Sequence, residues 1–151
     1  MNHTDAQILE AISRIFAHQR LGVLASCGGK QAYASLVAFA ASKDLKKMYF
    51  CTGKATRKYQ NLIGDPQVSL LVDNRTNQIS DFAEAWAVTA VGMVDFLNDA
   101  EMHEFEDVYL GKHPYLKGFA KAPGTRALRL RVESYFVVRR FQQVTELRVG
   151  S

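Results

Sequence analysis

Apolar residues recur first with a helical period and then, for most of the remaining length, with the alternation of strands. Ile8, Ala11, Ile12, Ile15 and Phe16 fall at i, i+3, i+4, i+7 and i+8, one apolar stripe of a helix. Thr4 and Gln7 stand before it at capping-box spacing, and His18, Gln19 and Arg20 end it. Residues 21–26 read as a short buried strand, Gly28-Gly29 as a tight turn, and residues 31–41 as a second strand of small and apolar side chains. A polar turn over 42–47 leads to a third strand, 48–52. Residues 53–63 read as a loop entering a short helix, with Gly64 at the C′ position and Asp65-Pro66 as the break. A fourth strand spans 68–73, a polar loop 74–81, and a long fifth strand 85–96 with Gly92 as a bulge. Asn98 and Glu101 form a second capping box ahead of a helix whose apolar face is Met102, Phe105, Val108 and Tyr109.

Residues 111–124 connect, with one helical turn over 115–120. Residues 125–132 alternate, with Leu128, Leu130 and Val132 on one face and Arg129 and Arg131 on the other. Residues 135–141 are apolar on both faces, which predicts burial between the barrel and something else. The sum is a mainly β (α+β) chain: a six- to seven-stranded antiparallel split β-barrel with flanking helices, in one domain over residues 1–151.

Composition narrows the class. A hydrophobic fraction of 48% with 23% charged residues is the ordinary globular mix. The longest uninterrupted apolar run, residues 36–41, is far too short for a membrane-spanning helix, and the N-terminus lacks the pattern of a secretory signal. Cys27 and Cys51 make neither a zinc framework nor a CxxC pair, which is economical for free thiols in a reducing cytoplasm. The net charge of +4 favours anionic partners without implying nucleic acid.

The chemistry concentrates at residues 52–58. Here a strand end, a glycine, Thr52 and Thr56, then Arg57 and Lys58 open a helix. A helix N-terminus presents unpaired N–H groups and partial positive charge, and an arginine binds phosphate through parallel hydrogen bonds. The segment therefore reads as a phosphate site for a small ligand, with a solvated basic turn capped by Thr56 as the bland alternative.

The stretch YFCTGKATRKYQNLIGDPQVSLLVD resembles the core motif of the pyridoxamine 5′-phosphate oxidase-like FMN-binding split barrels. The upstream LGVLAS and AYASLVAFA are similar to that family's first hairpin, and AWAVTAVGMVDFL to its long strand before a helix. The resemblance runs over residues 21–97 and implies FMN held through Thr52, Thr56, Arg57 and Lys58. It also implies a flavin ring lying along Ala34, Ser35, Leu36 and Val37, with Asn74 and Arg75 on a loop that reaches the flavin. A plain core strand and an exposed polar loop remain the alternatives for those last two stretches. Trp86 reads as a core or interface residue. The family is dimeric with its cofactor at the subunit interface, so a homodimer with a small-molecule substrate is expected. The vitamer-specific features are missing: residues 37–41 carry no basic side chain, and the C-terminus lacks the family oxidase's Trp- and Arg-containing segment.

The expected function is thus a cytoplasmic FMN-binding oxidoreductase of unassigned substrate, with no catalytic side chain and no metal site. The alternative is a non-catalytic module or electron carrier holding flavin, the deazaflavin F420 or haem, the last with His18 or His113 as axial ligand. A nucleic-acid-binding barrel, using Arg126, Arg129, Arg131, Arg139 and Arg140 with Tyr135, Phe136 and Phe141, is disfavoured by the modest charge.

Overall fold

The structure, a computed structural model, describes residues 3–150. Helix α1 (Asp5–His18) forms where the stripe predicts it. The Gln7 N–H donates to Thr4 Oγ1 at 3.2 Å and the Thr4 N–H to Gln7 Oε1 at 2.9 Å, completing the capping box. There follow β1 (Leu21–Ser26), β2 (Tyr33–Ala41), β3 (Lys47–Gly53), α2 (Arg57–Gly64), β4 (Gln67–Asp73), α3 (Asp81–Glu84) and β5 (Trp86–Phe96). Helix α4 (Met102–Phe105) runs on into a π-helical turn (Glu106–Leu110), and α5 (Lys117–Ala120) leads to β6 (Thr125–Arg139) and β7 (Gln143–Arg148). The strands are antiparallel in the order β3-β2-β1-β4-β5-β6-β7, and β3 also pairs with β6. That pairing closes a six-stranded barrel and leaves β7 outside it.

Alternation decides which side chains fill the barrel. Leu24, Val37, Phe39, Phe50, Leu70, Val88, Leu128 and Leu130 point inward into one buried cluster. Helix α1 plugs one end, with the Phe16 ring 5.4 Å from Phe39 and 5.8 Å from Tyr135, and α2 packs Leu62 into the same cluster. A second cluster lies outside the barrel wall. There Ala40, Tyr49, Cys51 and Ala127 are covered by Phe105, Tyr109 and Ala120 of the C-terminal helical segments. The outward face of β1, β4 and β5 has no such cover. Strand register sets Leu36, Val23, Leu71, Thr89 and Phe136 side by side across it, and Leu36 is 65% exposed.

Four sequence expectations change. Residues 125–132 and 135–141 are one strand, β6. Val91 pairs with Ser134 and Gly92 with Val132, so Glu133 is an extra, unpaired residue. It flips the alternation from Leu130 and Val132 inward to Tyr135 and Val137 inward, which in sequence looks like a strand end. The bulge expected at Gly92 is there, with the extra residue on the facing strand, and a Cβ at Gly92 would collide with the Arg131 carbonyl oxygen. Gly28-Gly29 does not make a tight hairpin, because Ser26 pairs with Tyr33 across a loop of residues 27–32. Packing demands Gly28 instead: a Cβ there would sit 2.5 Å from Asn61 Cα on α2. Gly64 is the last helical residue rather than a left-handed C′ glycine, with Asp65 as the cap. Finally, residues 143–148 form an unanticipated strand, β7, whose one buried residue, Leu147, leaves too weak an alternation to read. The turn before it holds Arg140 (φ 50°) and Phe141 (φ 65°) in the left-handed region. That conformation costs roughly 1–2 kcal/mol for each non-glycine residue.

Candidate functional site

The barrel is split between β2 and β3. These strands pair only where Phe39, Ala40 and Ala41 face Phe50, Tyr49 and Met48. Before that point β2 stays with β1 back to Tyr33, and β3 stays with β6 out to Gly53. The edge of β2 from Tyr33 to Ala38 therefore has no strand beside it among the described residues. The Phe39 N–H donates to Arg20 O on the β1 side, so Ala38, Leu36 and Ala34 turn their N–H and C=O groups to the open edge. Ala34 and Leu36 are exposed, whereas Val37 is buried and Ser35 is partly buried. The Ser35 hydroxyl is itself buried and has no hydrogen-bond partner among the described residues, a cost that a ligand acceptor or donor would remove.

Next to this edge the chain enters α2 through a turn built by its threonines. Thr52, 1% exposed, lies with its hydroxyl 3.0 Å from that of Thr56. Thr56 Oγ1 donates to the Gly53 carbonyl at 2.8 Å and accepts from the Tyr59 N–H at 3.1 Å, the bond of an N-cap. The Gln60 N–H goes to the Thr56 carbonyl. The Arg57 and Lys58 N–H groups find no partner among the described residues, leaving two donors at the positive end of the helix.

The side chains add charge there. The Arg57 guanidinium lies 5.8 Å from the centre of the Tyr33 ring, which ties α2 to the start of β2. Lys58 is half-buried, and burial holds its ammonium below the usual lysine range. Neither residue forms an ion pair among the described residues, nor does Arg126, whose backbone pairs with Thr52 and whose guanidinium lies over Phe96 at 5.4 Å. Uncompensated cations, free helix N–H groups and an orphaned hydroxyl fit a ligand with a phosphate at one end and a polar ring edge at the other.

The ten residues singled out by sequence fall into two places. Ala34, Ser35, Leu36, Val37, Thr52, Thr56, Arg57 and Lys58 gather at the split and its adjoining barrel end. Asn74 and Arg75 do not join them. They follow β4 at the α1 end of the barrel, where Asn74 lines a groove with His18, Arg14 and Trp86. The residues of β1 that face these two ends, Leu21 and Ser26, are about 16 Å apart at roughly 3.3 Å per residue. Asn74 is also engaged: its Oδ1 accepts from the Trp86 N–H at 2.8 Å, and Arg75 Nε meets Asp73 Oδ2 at 3.1 Å.

Tyr33 and Arg126 belong to this end of the barrel and were not expected at the cofactor site, Arg126 having been read only as part of a nucleic-acid surface. Tyr33 stood next to the expected ring strand and carried a signal as an aromatic beside small residues. Arg126 is brought in only by the β3–β6 pairing and had no local signal.

His113 is buried, with Nε2–H donating to Phe39 O at 2.7 Å and Nδ1 facing the Tyr115 hydroxyl at 3.3 Å, and burial depresses its pKa. His18 engages Nδ1 with Arg14 O at 2.8 Å, and its Nε2 has no partner among the described residues. Burial pushes the Cys51 thiol up to about 12, which makes it a packing residue rather than a nucleophile. No helix among the described residues is long and apolar enough to cross a membrane, and none of their His, Cys, Asp and Glu side chains cluster as a metal site.

Solved structures with this fold carry several cofactors. A haem-binding protein from Mycobacterium smegmatis superposes with a TM-score of 0.83 at 18% identity, over 99% of this chain and 60% of that one. A protein of the pyridoxinephosphate oxidase family from Clostridium acetobutylicum, related to general stress protein 26, gives 0.73 at 17% identity over 96% of both chains. A FAD-binding protein from Mesorhizobium loti gives 0.67 at 17% identity, over 85% of this chain and 91% of that one. At these identities the likeness concerns the fold alone, and this chain spans only about 60% of the haem-binding protein. A comparison with curated proteins gives no match. The profile of the family described as pyridoxamine 5′-phosphate oxidase matches residues 8–139, which takes in the barrel from the core of α1 to the end of β6. With the split, the helix entry and the profile in agreement, the chain belongs to the pyridoxamine 5′-phosphate oxidase-like family.

Proposed function

We propose that this chain is an FMN-binding flavoprotein, a homodimer that acts as an oxidoreductase on a small molecule. One observation carries the reading. The open edge of β2 lies beside a helix N-terminus whose Arg57 and Lys58 lack carboxylate partners among the described residues. Arg57, Lys58 and their N–H groups hold the phosphate. Thr52 and Thr56 hold the turn that presents those groups. Backbone groups of Ala34, Leu36 and Ala38 pair with the polar ring edge, and Ser35 supplies a hydroxyl. The flavin supplies electron and hydride chemistry, while the protein binds it, orients it and excludes water. No side chain needs to serve as acid or base.

The uncovered face of Val23, Leu36, Leu71 and Phe136 supports a second copy, since large exposed apolar patches are rare on monomers. In such a dimer, Arg75 reaches a flavin only from the partner subunit, because within one chain it lies at the other end of the barrel. Sedimentation should give twice the 16.9 kDa chain mass, and a monomer at micromolar concentration would defeat the dimer.

The cofactor is tested by the absorption spectrum of the purified protein with mass spectrometry of what it releases. FMN and the two-band spectrum of an oxidised flavin are expected. A single-band deazaflavin spectrum would assign F420 to the same phosphate site. A Soret band would favour haem and point to His18, whose free Nε2 supports that second reading.

A further inference from the structure

Phe39 is the residue where β2 parts from β3 and its open edge begins. Just beyond the end of β1, the Phe39 N–H donates to Arg20 O at 3.3 Å, and the Phe39 C=O accepts from His113 Nε2–H at 2.7 Å. A side chain thus supplies the rung that a strand N–H supplies elsewhere in the ladder. The Phe39 ring is gripped as well. It lies 5.4 Å from Phe16, and the Lys112 ammonium sits 3.9 Å from its centre. That ammonium also donates to Phe16 O at 2.7 Å and to Gln19 O at 2.6 Å, two carbonyls at the end of α1.

His113 is a costly residue for this position if packing is all it provides. It is 1% exposed and lies against the Tyr109 ring, so both of its ring nitrogens need partners. Nε2 carries the proton for the Phe39 carbonyl, which leaves Nδ1 to accept from the Tyr115 hydroxyl at 3.3 Å. A leucine would fill the space without either demand. The segment that delivers Lys112 and His113 is also irregular. The π-helical turn over Glu106–Leu110 takes in an extra residue and re-aims those that follow, a device found mostly at functional sites. All of these contacts lie inside one chain, whatever covers its surface.

We infer that His113, backed by Lys112, is a positioning residue for the ring site. Through the Phe39 carbonyl it fixes where β2 leaves β3, and so sets the line along which Ala38, Leu36 and Ala34 present their backbone groups. What a flavin gains from that line rests on the cofactor reading above; the line itself belongs to the protein alone.

Two variants of the full chain test this. The side-chain amide of His113→Gln can still donate to the Phe39 carbonyl, whereas His113→Leu cannot. In a nitrogen–proton correlation spectrum of the cofactor-free protein, the Ala34, Leu36 and Ala38 amide peaks should move in His113→Leu and return towards wild type in His113→Gln. In the same pair, FMN and riboflavin affinities should both fall about tenfold in the leucine variant, with their ratio unchanged, and recover in the glutamine variant. If His113→Leu does not fold, His113→Asn, too short to reach the carbonyl, takes its place with the same expected shifts and losses. Edge peaks that stay still in the leucine variant would overturn the inference, since a merely structural role lowers the melting temperature without moving them. So would peaks displaced equally by glutamine and leucine, or unchanged flavin affinities. Loss of FMN with riboflavin spared would place the effect at the phosphate end and overturn it too. A wild-type protein that takes up neither flavin would defeat the cofactor reading instead, and the amide peaks would still decide the role of His113.

Discussion

The chain carries two groups of cations on one barrel, and they are treated in opposite ways. On the outer wall near α4, Arg129 meets Asp95 at 3.1 Å and Glu101 at 3.0 Å, Arg131 meets Asp95 at 2.8 Å, and Lys47 meets Glu104 at 3.2 Å. Around the entry to α2, Arg57, Lys58 and Arg126 have no carboxylate partner among the described residues. The first group is a structural clamp between β6, β5 and the helical segment that follows. The second is charge waiting for an anion from outside. Sequence alone does not separate them: a β6 pattern of alternating arginines looks as much like a binding surface as TRK does. The difference is made by where the acids fall after folding. It also weakens the nucleic-acid reading, since Arg129 and Arg131 are spent within the chain, and Arg139 packs over the Trp86 ring at 5.2 Å.

The contrast breaks most severely if the α2 cations are removed. Arg57→Ala with Lys58→Ala should weaken FMN by about 100-fold or more, because each charge-assisted hydrogen bond is worth roughly 1.5–3 kcal/mol, and leave the melting temperature nearly unchanged. Calorimetric titration checks the first and thermal unfolding the second. Arg129→Gln should do the reverse. Its side chain is only 19% exposed and serves two carboxylates, so its loss should cost about 1–3 kcal/mol of stability with FMN affinity intact. Denaturant unfolding beside a flavin titration reads both quantities in one preparation.

A finer test uses Lys58. Burial lowers its pKa from the usual lysine value. In the window between that lowered value and the unfolded one, the unfolded chain binds more protons than the folded chain, so cofactor-free stability rises as pH rises. A bound phosphate needs the ammonium charged, so FMN affinity should fall as pH climbs through the same window. Lys58→Arg should flatten that fall, since guanidinium keeps its proton. A binding profile equally steep in wild type and variant would remove Lys58 from the phosphate site.

The smallest effect separates building from binding. Thr56→Ala loses the cap on the Tyr59 N–H and should cost about 1 kcal/mol of stability. Because the Thr56 hydroxyl is already committed to Gly53 and Tyr59, FMN affinity should fall only through loosening of the turn. A loss as large as that of the Arg57/Lys58 double variant would show that the threonine touches the ligand itself.

Local chemistry made much of this molecule legible. The two capping boxes, the α1 stripe and the Thr56 cap all rest on residues three or four apart, and the structure forms each of them. The antiparallel barrel also follows from alternation. What sequence could not show depends on pairing across distance. The extra residue at Glu133 reads as a strand end until β5 is set beside β6. Gly28 looks like a turn glycine until Asn61 is brought against it. Asn74 and Arg75 sit next to the site in family resemblance and at the opposite end of the barrel in space, a separation that only the register of β1 with β2 and β4 reveals.

The account rests most heavily on a phosphate held at the entry to α2, and riboflavin differs from FMN by that phosphate alone. Affinities of both flavins for the cofactor-free protein, measured side by side, test it directly. The account predicts that FMN binds at least about 100-fold more tightly, with the difference collapsing in the Arg57/Lys58 double variant. Equal affinities for the two flavins would contradict it and leave the cations at α2 without their ligand.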